Sequence, residues 1–326
     1  MSPVKILITG ASGFVGSSFL ARFRDRPGLE LHGVGRRALD DRSYTALDLS
    51  RPFDLPFRPD VVIHAAARAA PWGTAAEYER DNVETTRQVL DFCRRHGQPR
   101  LIYVSSSSVF YRAGSQRGLT EASPIGPRFV NRYAASKYAG ECLLRDYPGT
   151  CRIVRPRAVF GPGDTVLFPR ILQAARLGKL PLFVGGGNSG RGAVGDLIFI
   201  DTLSDYLLEV ATREDLSGSY NLTNAQPVEI QSFLLDVFAR LGIPPPRRRI
   251  AIPVAMALAG ITELAWRLLR RPGEPPITRF GVGVFAWSKT FDVTRMLTDL
   301  GAPSVSIADG VDAFVAWQRQ QPEFRA

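Results

Sequence analysis

The stretch Val4-Lys5-Ile6-Leu7-Ile8-Thr9-Gly10-Ala11-Ser12-Gly13-Phe14-Val15-Gly16 limits what this chain can fold into more than any other. Its first half is an apolar, β-branched run, which reads as a strand buried on both faces of a parallel sheet. Glycines at 10, 13 and 16 then open onto Phe14, Val15, Phe19, Leu20 and Phe23, which recur at helical spacing. Each glycine has a job. Gly10 permits a tight turn out of the strand, Gly13 lets backbone approach a ligand, and Gly16 lets the helix pack close to the sheet. The helix N-terminus presents N–H groups and a positive dipole end, which suit a pyrophosphate. Strand, glycine turn and helix in this order predict a dinucleotide site that includes Gly10, Ser12, Gly13, Phe14, Val15 and Gly16.

The second strand should run from Glu30 into Arg36-Arg37. Its end lies about 20 residues beyond Gly16, where a dinucleotide fold places the residue that reads the adenosine ribose. An acid there suits NAD; Arg36 suits the extra phosphate of NADP, so NADP is expected, with NAD as the alternative. Ala46-Leu47-Asp48-Leu49 reads as a short strand whose Asp48 would contact adenine. Val61-Val62-Ile63-His64 runs into Ala65, Ala66 and Ala67, small enough to let the cofactor lie close to the sheet edge. His64 itself reads as a hydrogen-bonded core histidine.

A helix is expected over Asn82 to Arg95, with Gly97 as its C-cap. Leu101 to Ser105 is a buried strand opening into the serine run 105–108, at the end of a parallel strand where open α/β sheets bind ligands. Tyr111 to Arg132 reads as a substrate-facing loop. Tyr133-Ala134-Ala135-Ser136-Lys137 then starts a helix through Asp146, and four-residue spacing puts Tyr133 and Lys137 on one face. Cys151 to Pro156 is one more core strand. Beyond it come helical signals over Phe168–Leu177, a glycine-rich flexible link at 185–190, strand character at Leu197–Asp201, and a last short strand at Tyr220–Leu222.

Ser106, Tyr133 and Lys137 together suit proton transfer coupled to hydride transfer. A tyrosine titrates near 10; a close lysine cation, together with the charge of the oxidised nicotinamide, would favour tyrosinate, and Ser106 would hold the substrate oxygen near the phenol.

Composition narrows the partners. The net charge of +10 comes mainly from arginine, yet no basic run interleaves with aromatics, so nucleic acid is not expected. Three cysteines without close spacing and three histidines argue against a metal site. The first strand starts at residue 4 with no signal-like segment before it, which points to the cytoplasm. The apolar tract Pro253–Leu269 is interrupted by Thr262, Glu263 and Arg267 and is too short to span a bilayer. It would line a lipid-sized pocket, rest on a membrane surface, or form an ordinary core helix.

These motifs resemble the extended branch of the short-chain dehydrogenase/reductase superfamily, over nearly the whole chain. The resemblance rests on Thr9–Gly16, Asp48-Leu49, His64–Ala67, Asn82-Val83, Val104–Phe110, Tyr133-x-x-x-Lys137, Arg155-Pro156 and Phe160–Gly163. It implies a doubly wound α/β fold of Rossmann type, with a cofactor domain over residues 1–165, its sheet completed by 196–223. A smaller, mostly helical substrate domain would take 166–195 and 224–326. It implies Tyr133 as general acid/base, Lys137 on the nicotinamide ribose, Ser106 as catalytic serine, and Leu49, Asn82 and Pro156 among the cofactor contacts. It also implies a homodimer packed through the helices Asn82–Arg95 and Tyr133–Asp146.

Two departures bear on substrate. Nucleotide-sugar epimerases and dehydratases usually carry an arginine where Gly195 precedes Asp196–Asp201, to clamp the substrate diphosphate; Arg191 would have to substitute. The stretches Arg271–Phe280 and Ala70–Gly73 resemble the 3β-hydroxysteroid dehydrogenase type, which includes 2-alkyl-3-oxoalkanoate reductases. A secondary alcohol/ketone oxidoreductase on a bulky apolar substrate is therefore expected. A nucleotide-sugar enzyme and a dinucleotide-binding sensor without turnover are the alternatives.

Overall fold

A computed structural model describes residues 2–185, 192–271 and 273–322. Seven parallel strands form the main sheet: Val4–Thr9 (β1), Leu29–Gly35 (β2), Tyr44–Ala46 (β3), Val61–His64 (β4), Arg100–Val104 (β5), Cys151–Pro156 (β6) and Gly218–Leu222 (β7). Their spatial order is β7-β6-β5-β4-β1-β2-β3. The order reverses beside β1, and ligands bind such a sheet at the carboxyl ends of the strands flanking that point.

The unbroken apolar runs follow from burial on both faces. Ile6, Ile8, Ile63 and Ile102 point into one core, under helices Phe14–Phe23 (α1) and Ile200–Thr212. Leu7, Val62, Leu101 and Tyr103 point into the other, under helix Thr85–Arg95 (α2). Each such residue contributes roughly 1.5–3 kcal/mol of burial, which fixes the register, since a one-residue slip would exchange the faces.

Several expectations are corrected. The third strand ends at Ala46, because Asp48 accepts from the Ser50 N–H and hydroxyl and turns the chain instead. The helix expected from Asn82 starts at Ala75, behind a capping box between Thr74 and Glu77. It passes through a π-helical stretch, Glu79–Glu84, before α2. The loop 111–132 contains a strand, Gln116–Leu119, parallel to Lys289–Phe291. Strand character at 197–201 shrinks to Ile198–Phe199, which pairs with Val159–Phe160 outside the main sheet. Tyr220–Leu222 is not the last strand; Val228–Glu229, Arg249–Ala251 and Lys289–Phe291 follow.

Helix Arg132–Leu143 (α3) packs across the π-helical stretch, and Ile200–Thr212 is α4. In the C-terminal third, Ile252–Leu268 (α5) packs on Arg279–Ala286 (α6) around a small core of Phe183, Ala255, Ala259 and Val282. The last helix, Ile307–Arg319 (α7), returns to the main core, with Phe314 against Phe168 at 4.5 Å between ring centroids. The glycine-rich stretch 186–190, Arg191 and Pro272 lie outside the described residues.

Candidate active site

The glycine turn forms as its composition requires. Gly10 has φ +70°, a conformation that favours glycine, and a Cβ there would lie 2.8 Å from Ala66. A Cβ on Gly16 would lie 2.5 Å from the Gly10 carbonyl oxygen. α1 starts after Gly13 with no side-chain cap and no acid in its first turn. Its first N–H groups and dipole end therefore have no side-chain competitor for an anion. Ser12 and Val15 are half-buried beside this turn; Phe14 is buried.

Arg36 follows β2 and is exposed, 3.6 Å from the buried Asp81 carboxylate. Asp48 is near enough for Arg36 and Arg51 to help hold its carboxyl below the usual range, after the larger effect of its Ser50 hydrogen bonds. Leu49 is core, packed with Leu7 and Val34. Asn82 is also buried: its Oδ1 accepts from the Arg68 N–H at 2.6 Å, and its Nδ2 donates to Ser136 Oγ at 2.7 Å. Asn82 thus ties the loop after β4, which carries the half-buried Ala65, Ala66 and Ala67, to α3. Pro156 ends β6, opposite Leu222 of β7.

His64 is a core histidine. Thr86 donates to the Asn82 carbonyl, which leaves its oxygen to accept from His64 Nε2 at 3.0 Å. Nδ1 then accepts from Thr9 Oγ1 at 2.7 Å, and the same Thr9 oxygen receives the Ala66 N–H. Burial pushes the ring down to about 3, so it stays neutral.

The four serines of the run take different partners. Ser105 donates to Glu141, Ser107 pairs with Tyr111, and Ser108 pairs with Ser106. Only Ser106 reaches Tyr133, and its hydrogen bond opposes the upward pull that burial exerts on the Tyr133 phenol. Asn131 caps α3 through the Ala134 N–H at 2.8 Å and so sets where Tyr133 and Lys137 begin.

Lys137 is 2% exposed. Its ammonium lies 4.2 Å from the Tyr103 ring centre and makes no hydrogen bond among the described residues. Burial brings its pKa down to about 7, with Glu141 resisting. Glu141 is held by the Arg155 guanidinium through two bonds of 2.9 and 2.8 Å. In the protein without cofactor, burial raises the Tyr133 pKa and the Ser106 hydrogen bond opposes it, so the phenol is protonated at neutral pH.

Two further residues were not legible beforehand. Asp164, buried, accepts the N–H groups of Val166, Leu167 and Phe168 and so shapes the Gly161–Asp164 turn. Arg157, one residue past Pro156, is 9% exposed; its Nε has no partner, and its guanidinium stacks 5.2 Å from the Tyr111 ring centre. One Arg157 nitrogen lies 3.4 Å from where a Cβ of Gly195 would sit. A guanidinium therefore adjoins Gly195, the position at which the sequence lacks a diphosphate-clamping arginine. It arrives from the end of β6, and its place beside Gly195 is a long-range meeting with no local signature.

A cleft of about 140 Å³ opens beside the Asn131 cap, between Trp72, Glu263, Arg267, Thr278 and Phe280. The glycine cradle, the uncapped α1 and the unpaired Lys137 ammonium fit a nicotinamide dinucleotide.

The chain is similar to known proteins in sequence and in fold. Residues 6–223 match the NAD dependent epimerase/dehydratase family. The 2-alkyl-3-oxoalkanoate reductase of Stenotrophomonas maltophilia is 31% identical, covering 94% of this chain and 97% of that protein. The 3beta-hydroxysteroid-dehydrogenase/decarboxylase isoform 1 of Arabidopsis thaliana is 30% identical over 77% of this chain and 60% of its own length. In fold, the chain is similar to MoeE5 in complex with UDP-glucose and NAD, with a TM-score of 0.73, 23% identity, and 97% and 99% of the two chains covered. The chain belongs to the NAD dependent epimerase/dehydratase family, and it is an enzyme of the extended short-chain dehydrogenase/reductase type.

Proposed function

We propose that the protein is an NADP-dependent oxidoreductase that interconverts a secondary alcohol and a ketone on a bulky apolar substrate of the 2-alkyl-3-oxoalkanoate type. The observation that carries this reading is the hydrogen bond between Ser106, at the carboxyl end of β5, and the Tyr133 phenol, with the buried Lys137 one turn further along α3.

The glycine turn, with Ser12, Phe14 and Val15, holds the pyrophosphate; Arg36 takes the 2′-phosphate, with Asp48 near the adenine. Leu49, Ala65, Ala66, Ala67, Asn82 and Pro156 shape the bed for the rest of the dinucleotide, and Lys137 donates to the nicotinamide ribose. The nicotinamide, when bound, supplies or takes up the hydride. In the reductive direction Ser106 donates a hydrogen bond to the ketone oxygen, and Tyr133 gives that oxygen its proton as the carbon becomes a carbinol. A phenol kept protonated by burial suits this direction. Residues 166–195 and 224–326 form the substrate side of a cytoplasmic homodimer joined through the helices that carry Asn82 and Tyr133.

Arg157 supports an acidic group on the substrate, which the name of the Stenotrophomonas relative includes. The same guanidinium supports a second reading, a nucleotide-sugar enzyme, because a diphosphate would fit it too. Tyr133→Phe should lower turnover of 2-alkyl-3-oxoalkanoates by about 10²–10⁴-fold while leaving NADPH affinity, measured by fluorescence titration, unchanged. Surviving turnover would sink the mechanism. Stabilisation by UDP-sugars rather than by the oxo-acid in thermal shift would move the assignment to the second reading.

A further inference from the structure

α5 reverses the usual arrangement of a surface helix. It turns Ile252, Ala255, Ala259 and Glu263 inward. Outward stand Val254, Leu258, Ile261, Leu264 and Leu268, between 46 and 74% exposed, with Leu269 continuing past the helix end at 65%. Spacings of four, three, three and four residues put these side chains on one face. A contiguous apolar stripe of this kind marks a contact surface.

Charge says what the contact is. Arg247, Arg248 and Arg249 precede the stripe, and Arg270 and Arg271 follow it; all five are exposed, and none makes an ion pair among the described residues. The only acid between residues 247 and 271 is Glu263, buried and held by the Arg279 backbone N–H and guanidinium at 2.8 and 3.0 Å. The face therefore carries apolar bulk and positive charge with nothing to neutralise it. A second copy of the chain is the wrong partner. A two-fold contact sets the patch against itself, so arginine clusters would meet arginine clusters at both ends.

We propose that α5 is an interfacial helix that seats the protein on an anionic phospholipid surface. The aliphatic stripe enters the boundary of the acyl region, and the arginines at either end meet the headgroup phosphates. The 17-residue helix is about 25 Å long and lies in the plane of the surface; no described helix is long and apolar enough to cross a membrane. Its inner face, through Glu263 and Arg267, walls the cleft beside Asn131. Seating α5 on lipid therefore brings that cleft to the surface in which a bulky apolar substrate dissolves. This last step rests on the proposed function; lipid binding itself does not.

Co-sedimentation of the full chain with vesicles, without substrate, tests the proposal. Wild type should bind vesicles containing phosphatidylglycerol, weakly or not at all those of phosphatidylcholine alone, and less as salt rises. The pair Ile261→Asp with Leu264→Asp, and separately Arg270→Glu with Arg271→Glu, should each weaken binding roughly tenfold or more. An NADPH-induced thermal shift equal to wild type would show that each variant is folded. Failure of wild type to bind anionic vesicles, or equal binding by wild type and variants, overturns the proposal. So does light scattering in which wild type ignores vesicles and Ile261→Asp with Leu264→Asp reduces its mass. If vesicle binding holds while no ketone is reduced, the docking surface stands and the proposed reaction fails.

Discussion

The two walls of the candidate site are built on opposite principles. On the sheet side, large apolar side chains are inside, and three buried polar groups sit in hydrogen-bonded networks: His64 between two threonines, Glu141 between Ser105 and Arg155, Asp164 beneath three N–H groups. On the α5 side, two alanines face inward with Ile252 and Glu263, while Val254, Leu258, Ile261, Leu264 and Leu268 stand in solvent. The difference teaches where each wall draws its order. The sheet side is preorganised by its own contacts, which proton transfer at a fixed position requires. The α5 side leaves its apolar surface unspent, as befits a wall that meets something outside the protein.

Breaking the sheet side should cost most. Glu141→Ala strips the buried Arg155 of its partner and should destabilise the fold by about 3–5 kcal/mol in urea unfolding. A loss near zero would mean that Arg155 finds water and that the wall is open to solvent.

The pH dependence of stability probes the same wall and should reach several kcal/mol in order of magnitude. The Lys137 pKa falls from 10.5 when free to about 7 in the fold. Between those values the unfolded chain binds the extra proton, so this group adds stability as pH rises from about 7 towards 10.5 and adds no slope below 7. Buried cysteines and tyrosines titrate in the opposite sense, so the quantity to measure is the difference from Lys137→Met. The cofactor-free variant should lack that rising component. If wild type and variant run parallel, Lys137 is not desolvated as described.

The smallest effect belongs to the other wall. Leu264→Ser removes a side chain that is 58% exposed and should change stability by no more than about 0.5 kcal/mol. A loss of core size would show that the stripe is packed rather than free and would erase the contrast between the walls.

Much of the site was legible because its signals are local. The glycine turn, the residues at the end of β2, the serine run and the four-residue spacing of Tyr133 and Lys137 each lie within a few positions, and backbone geometry converts them directly into placement. His64 read as a core histidine because its neighbours are apolar, and it is one. The π-helical stretch was not legible, since a single extra residue per turn leaves little trace in a pattern of apolar positions. The capping box of Thr74 and Glu77, which starts that helix early, was a readable signal that the periodic pattern from Asn82 overshadowed. The lowered acidity of Tyr133 was not legible, since it depends on how deeply the start of α3 is buried.

By itself, the sequence determined the cofactor half: a parallel sheet, a dinucleotide turn and a Ser/Tyr/Lys set, all specified by short-range pattern. Tertiary structure alone decided three things. It joined Gln116–Leu119 to Lys289–Phe291 across the length of the chain, brought Arg157 beside Gly195, and chose which face of α5 turns inward. The physical reason is shared. An amphipathic or apolar segment states that it has faces, but which face is buried depends on what packs against it, and those partners lie far away in the chain.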